Sequence, residues 1–69
     1  MAVKQTISEH ERYRRARGFS ITSLAKAIDR SRVHVSRIEN GHEQPSAAYR
    51  RDVARVLGVP EELIFGEPR

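Results

Sequence analysis

The sequence predicts an all-α fold of five short helices, and three observations carry that expectation. Apolar residues recur at helical spacing, serines stand just ahead of the stripes, and Gly or Asn-Gly stands just behind them. No strand is read anywhere in the chain. Each element follows from its own boundaries.

The first helix is expected from about Ser8 to Arg17, stopped by Gly18, which takes a positive φ without a Cβ clash. Ser20 then suits an N-cap, its hydroxyl accepting from backbone N–H groups that the helix start leaves free. Behind it Ile21, Leu24, Ala25 and Ile28 fall at i, i+3, i+4 and i+7, one apolar stripe. Asp29 and Arg30 make a turn. Ser31 is the next cap candidate, and the third helix runs from Ser31 or Arg32 to Glu39, ending at Asn40-Gly41. A polar loop from His42 to Pro45 leads to Ser46, which can cap a fourth helix with the stripe Tyr49, Val53, Val56 and Leu57. Gly58 ends it. Pro60 opens a last short helix, with Glu61 and Glu62 at the positive end of its dipole and Leu63, Ile64 and Phe65 following. Residues 1–69 form a single domain, with an ordered core expected over about residues 7–66 and fraying from Gly66 to Arg69.

Composition bounds the function. A chain of 69 residues supports one small core of marginal stability, which favours self-association. It has no cysteine and no tryptophan, so neither disulfides nor a cysteine zinc site are available. No apolar run is long enough for a membrane span or a signal peptide, and a soluble cytoplasmic protein, bacterial or phage-encoded, is expected. Between Arg12 and Arg37 stand eight basic residues and the single acid Asp29, a net +7; the remainder holds five basic and eight acidic residues, a net −3. A basic front half suits a polyanion such as duplex DNA, although a merely solvated Arg-rich surface has the same composition.

The second and third helices, joined by a turn of a few residues, have the helix-turn-helix arrangement. At about 100° per residue, Ser31, Val35 and Ile38 share one side of the third helix and can pack inward. Arg32, Val33, Ser36 and Arg37 occupy the opposite sector. Arg pairs bidentately with guanine O6 and N7, Ser donates or accepts, and an aliphatic group touches the thymine methyl. That sector can serve as a reading face; an amphipathic helix with an exposed basic side would look the same.

The run Gly18-Phe19-Ser20, Leu24-Ala25, Ser31, Val35-Ser36-Arg37-Ile38-Glu39-Asn40-Gly41 and Pro45-Ser46 resembles the lambda-repressor-like (Xre/Cro-type) helix-turn-helix family. The stretches Val53 to Val59 and Leu63 to Gly66 resemble its fourth and fifth helices, so the likeness spans about Ile7 to Gly66. The resemblance implies a compact five-helix domain in which helices 2 and 3 form the helix-turn-helix. It places Arg32, Val33, Ser36 and Arg37 at base-contacting positions. Ser20 and Asn40 match phosphate-contacting positions, and Thr22, Ser31 and His42 join them as phosphate candidates. Arg14 and Glu39 match a structural ion pair between the first and third helices, which assigns Glu39 to the scaffold.

Three departures from the family pattern stand out. Ile21 replaces a Gln that often bridges to phosphate, and is expected to join the core stripe or to meet a partner protein. Asp29-Arg30 replaces a Gly and an apolar residue; Asp tolerates the left-handed region, and the Arg30 stem can cover the apolar slot though its charged head cannot fill it. His10 stands where the family tends to be aliphatic.

The histidines at 10, 34 and 42 are too scattered for a metal site, and His34 reads as an exposed bystander. Arg50, Arg51 and Arg55 read as a solvated face of the fourth helix, with Arg50 or Arg51 within possible reach of phosphate. No nucleophile, base and acid occur at a catalytic spacing and no Gly-rich phosphate loop is present, so enzyme activity, a metal and a cofactor are not expected. Leu63, Ile64 and Phe65 cannot all point into one small core, which makes them candidates for a homodimer contact. The sequence therefore predicts specific binding of double-stranded DNA by a homodimeric transcriptional regulator, a repressor above all. The alternative is a protein-interaction module or antitoxin-like partner that uses the same fold to bind another protein.

Overall fold

The computed structural model describes residues 8–66; the expectations for the N-terminal residues, the ordered start at residue 7 and the fraying end at 67–69 lie outside the described residues. Five α-helices follow one another: α1 Glu9–Ala16, α2 Ile21–Ala27, α3 Arg32–Glu39, α4 Ala47–Leu57 and α5 Glu61–Phe65. The described residues contain no strand. No helix among them is long and apolar enough to cross a membrane.

Local chemistry sets the boundaries. Ser8, Ser20, Ser31 and Ser46 each hold extended backbone angles and accept from the third N–H of the helix that follows, at Glu11, Ser23, His34 and Tyr49. In α2 the Ser23 hydroxyl returns the bond to the Ser20 N–H at 2.9 Å, closing a capping box with Ser in the place of the usual Glu or Gln. Pro60 precedes α5 without a side-chain cap, and Glu61 and Glu62 occupy the first turn.

The helix ends repeat one device. After α1 the N–H of Gly18 bonds the Arg15 carbonyl at 3.0 Å and that of Phe19 bonds Arg14 at 3.0 Å. After α3 the N–H groups of Gly41 and His42 reach Ile38 and Arg37 in the same way. This paired closure needs a left-handed residue just past the helix. In the turn between α2 and α3 that residue is Asp29, at φ 58°, with Asp29 N–H bonded to Lys26 O and Arg30 N–H to Ala25 O. The turn survives the loss of Gly because Asp is among the few residues that visit this region.

Leu24, Ala25 and Ile28 of α2 and its end, Val35 and Ile38 of α3, Tyr49, Val53, Ala54 and Leu57 of α4, and Ile64 of α5 form the core. A leucine, isoleucine or valine side chain buried this fully contributes about 1.5–3 kcal/mol of transfer free energy, so these few residues supply most of the driving force. Phe19, Ile21, Val56, Val59 and Phe65 pack around them half-buried. Ile21 thus belongs to the core margin, and Val56 gives up to Ala54 the inner place that the stripe assigned to it. Ser31 is corrected as well: it is exposed, because as the N-cap it stands outside the helical register that would have turned it inward.

The first helix buries no aliphatic side chain. Its two buried residues are His10 and Arg14.

Candidate functional site

The buried residues of α1 hold α3 in place. Arg14 Nε donates to Glu39 Oε1 at 2.9 Å and Nη2 to Oε2 at 2.8 Å, while Nη1 donates to the Phe19 carbonyl at 2.8 Å. His10 Nδ1 lies 3.1 Å from the same Glu39 Oε1, and its Nε2 lies 2.8 Å from the Tyr49 hydroxyl. A carboxylate only accepts, so Nδ1 carries the imidazole proton; Nε2 then accepts, and the Tyr49 hydroxyl donates to it. Among the described residues no buried side-chain nitrogen or oxygen lacks a partner. Burial lowers the His10 pKa below its ordinary 6.5 and outweighs the pull of Glu39, whose charge Arg14 already balances. Burial likewise raises the Tyr49 pKa, and the Glu39 contact raises that of Arg14.

Glu39 is the only acid in α2 or α3, and Arg14 neutralises it inside the protein. The outer side of the two helices is left with Lys26, Arg32 and Arg37 exposed and no acid of its own. The outer face of α3 (Arg32, Val33, Ser36, Arg37) and the first turn of α2 (Ser20, Ile21, Thr22) line one open groove of about 510 Å³. All four residues of the reading sector therefore share a surface with two of the phosphate candidates. Val33 is 64% exposed and lies on the same surface as Arg32 and Arg37. Ser31, Asn40 and His42 are exposed at the two ends of α3, and the Asn40 amide donates to Ser36 Oγ at 3.3 Å.

Several side chains are placed otherwise than the sequence suggests. His34 is half-buried: its ring meets Tyr49 edge-on at 5.5 Å, and Nδ1 lies 3.2 Å from Glu43 Oε2. The opposite oxygen of Glu43 accepts from Arg37 Nε at 3.4 Å. The Arg30 guanidinium lies over the Tyr49 ring at 5.9 Å, donates to the Ile28 carbonyl and approaches Asp52 at 3.5 Å, so its head as well as its stem covers the apolar slot. Arg50 is not a free cation: it clamps α5 through Glu61, the Gly66 carbonyl and the Phe65 ring. Ile64 is 6% exposed and faces the core, which removes it from the surface contact expected of it; Phe65 is half-buried against His10 and Tyr49, and Leu63 stays 48% exposed.

These polar burials could not be found from periodicity. His10 meets its partners 29 and 39 residues away, and only the missing aliphatic stripe of the first helix signals that something else fills its inner face.

A family model described as a helix-turn-helix domain matches residues 11–64. A search of curated proteins finds no match for the chain.

Proposed function

Because the chain belongs to the helix-turn-helix domain family, whose members are in general DNA-binding regulators, we propose that it represses transcription as a homodimer bound to an inverted repeat. Each α3 lies in the major groove. Arg32 and Arg37 pair with guanines, Val33 touches a thymine methyl, and Ser36 contacts a base edge. Ser20, Thr22, Ser31, Asn40 and His42 contact phosphate and set the register. Two-fold symmetry spaces the paired reading helices about 34–36 Å apart, one turn of duplex.

The observation that carries this reading is the shared groove. The start of α2 and the outer face of α3 present two guanidiniums, three hydroxyls and an exposed valine together, while the one acid of α3 is turned inward against Arg14. Selection of sites from random duplex DNA, repeated with Arg37→Ala, tests it. The expected result is a symmetric site that loses a guanine preference at one position per half-site, worth about 1–3 kcal/mol of discrimination. An unchanged preference in the variant removes Arg37 from base reading.

Protein docking is the second reading, supported by the apolar pair Ile21 and Val33 within the groove. A gel shift at low and moderate salt separates the two. A docking module retains no DNA in a sequence-dependent manner.

A further inference from the structure

Resting on the base-reading role proposed for Arg37, we propose that Glu43 is a positioning residue: it fixes the Arg37 guanidinium so that its terminal fork points at the base edge.

Arg37 sits in the last turn of α3 with its side chain 55% exposed, a long cation with many accessible rotamers. Such a side chain can pair with a guanine, but it reaches a neighbouring phosphate as readily. Freezing it costs side-chain entropy when it is ordered only on binding. Glu43 removes part of that freedom beforehand. Its Oε1 accepts from Arg37 Nε at 3.4 Å, and this uses the donor nearest the backbone. Among the described residues neither Nη group has a partner, and the two form the end-on fork that matches guanine O6 and N7.

Glu43 also stands beside a side chain that packs on the core. Its second oxygen lies 3.2 Å from His34 Nδ1, and the His34 ring stands edge-on at 5.5 Å against Tyr49, which is fully buried. The chain of contacts runs from the core through His34 and Glu43 to the reading arginine. A flexible surface pair would lack that anchor and would contribute little. The negative charge has a second consequence. Placed beside Arg37, it opposes capture of the guanidinium by phosphate, so it lowers sequence-independent affinity while sharpening base choice.

The test compares wild type, Glu43→Gln, Glu43→Ala and Arg37→Ala for binding to the selected site, to the site with the Arg37-dependent base pair replaced, and to unrelated duplex. Loss of preference in Arg37→Ala defines the base pair. Glu43→Ala is expected to reduce discrimination at that pair by about three- to tenfold, the size of the ordering cost it reinstates. Binding to unrelated duplex is expected to rise rather than fall, with a steeper salt dependence. Glu43→Gln keeps an acceptor but not the charge; it is expected to retain most of the discrimination and still bind unrelated duplex more tightly. In the Arg37→Ala background, Glu43→Ala should have no further effect on discrimination. A loop that merely stiffens the fold would lower binding to every duplex alike, together with the unfolding midpoint. Full discrimination in Glu43→Ala, with Arg37→Ala losing it, overturns the positioning role and leaves base reading intact. No guanine preference in wild type, or the same preference in Arg37→Ala, overturns both.

Discussion

At the residue scale the most consequential group is the buried set of Arg14, Glu39, His10 and Tyr49. It costs desolvation to bring a carboxylate and a guanidinium inside, and a well-packed apolar pair would serve stability as well or better. Removing one partner is a different matter, because it strands the other. Arg14→Ala should cost about 3–5 kcal/mol, a large share of the whole stability of a domain this small. Urea denaturation measures it, and a loss below 1 kcal/mol would mean that water reaches Glu39 freely. His10 adds a pH dependence. Its folded pKa lies below the unfolded 6.5, so the unfolded chain binds the proton more readily. Stability is complete above pH 6.5, declines as pH falls through that value and levels off below the folded pKa. Urea midpoints at pH 7.5 and 5.5 should therefore differ, with the lower midpoint at pH 5.5. In His10→Phe that difference should shrink, while the orphaned Tyr49 hydroxyl destabilises the variant by about 1–3 kcal/mol at both pH values. A pH-independent wild type would show that His10 is not the group that titrates.

At the scale of the elements, helix boundaries were legible because each depends on a few adjacent residues. Ser20, Ser31 and Ser46 accept from N–H groups three positions on, and Gly18, Gly41 and Gly58 close the ends. What each helix buries was legible only where the buried face is aliphatic, as with Leu24, Ala25 and Ile28. The polar inner face of α1, the Arg30 cover over Tyr49 and the His34 contact with Glu43 depend on residues distant in sequence, and no local pattern encodes them. Of the proposed reading face, the shared sector of Arg32, Val33, Ser36 and Arg37 was legible from helical angle alone, whereas its junction with Ser20, Ile21 and Thr22 at the start of α2 required the angle between two helices. The turn that sets this angle carries a testable strain. Asp29 holds φ 58° where the other helix ends use Gly. Asp29→Ala should cost about 1 kcal/mol, since Ala keeps the Cβ and loses the polar side chain that favours this region. Asp29→Gly removes the Cβ clash but gains unfolded-state freedom, and should fall within about 1 kcal/mol of wild type on the stable side. A destabilised Asp29→Gly would show that the carboxylate, not the backbone angle, holds the turn.

For the whole molecule, the proposed function raises the question of how one small domain would read a site long enough to be specific. A single α3 offers four side chains, too few for a unique address among many competing sites. Pairing two copies would double the contacts. The described surface leaves Leu63 as the exposed large apolar residue away from the groove, on the short α5 whose neighbours Ile64 and Phe65 are turned to the core. We therefore place the proposed dimer contact on α5, centred on Leu63. Leu63→Glu should leave the unfolding midpoint at high dilution nearly unchanged, within about 0.5 kcal/mol, because an exposed position carries little folding energy. The same change puts a like charge across a two-fold axis, where each copy meets its own substitution. Sedimentation equilibrium should then report monomer at concentrations where wild type is dimeric. Binding to a full inverted repeat should weaken toward that of a single half-site, while binding to an isolated half-site stays as it was. A Leu63→Glu protein that remains dimeric and keeps its full-site affinity would move the interface elsewhere. Equal weakening on half-site and full site would instead place Leu63 within reach of DNA.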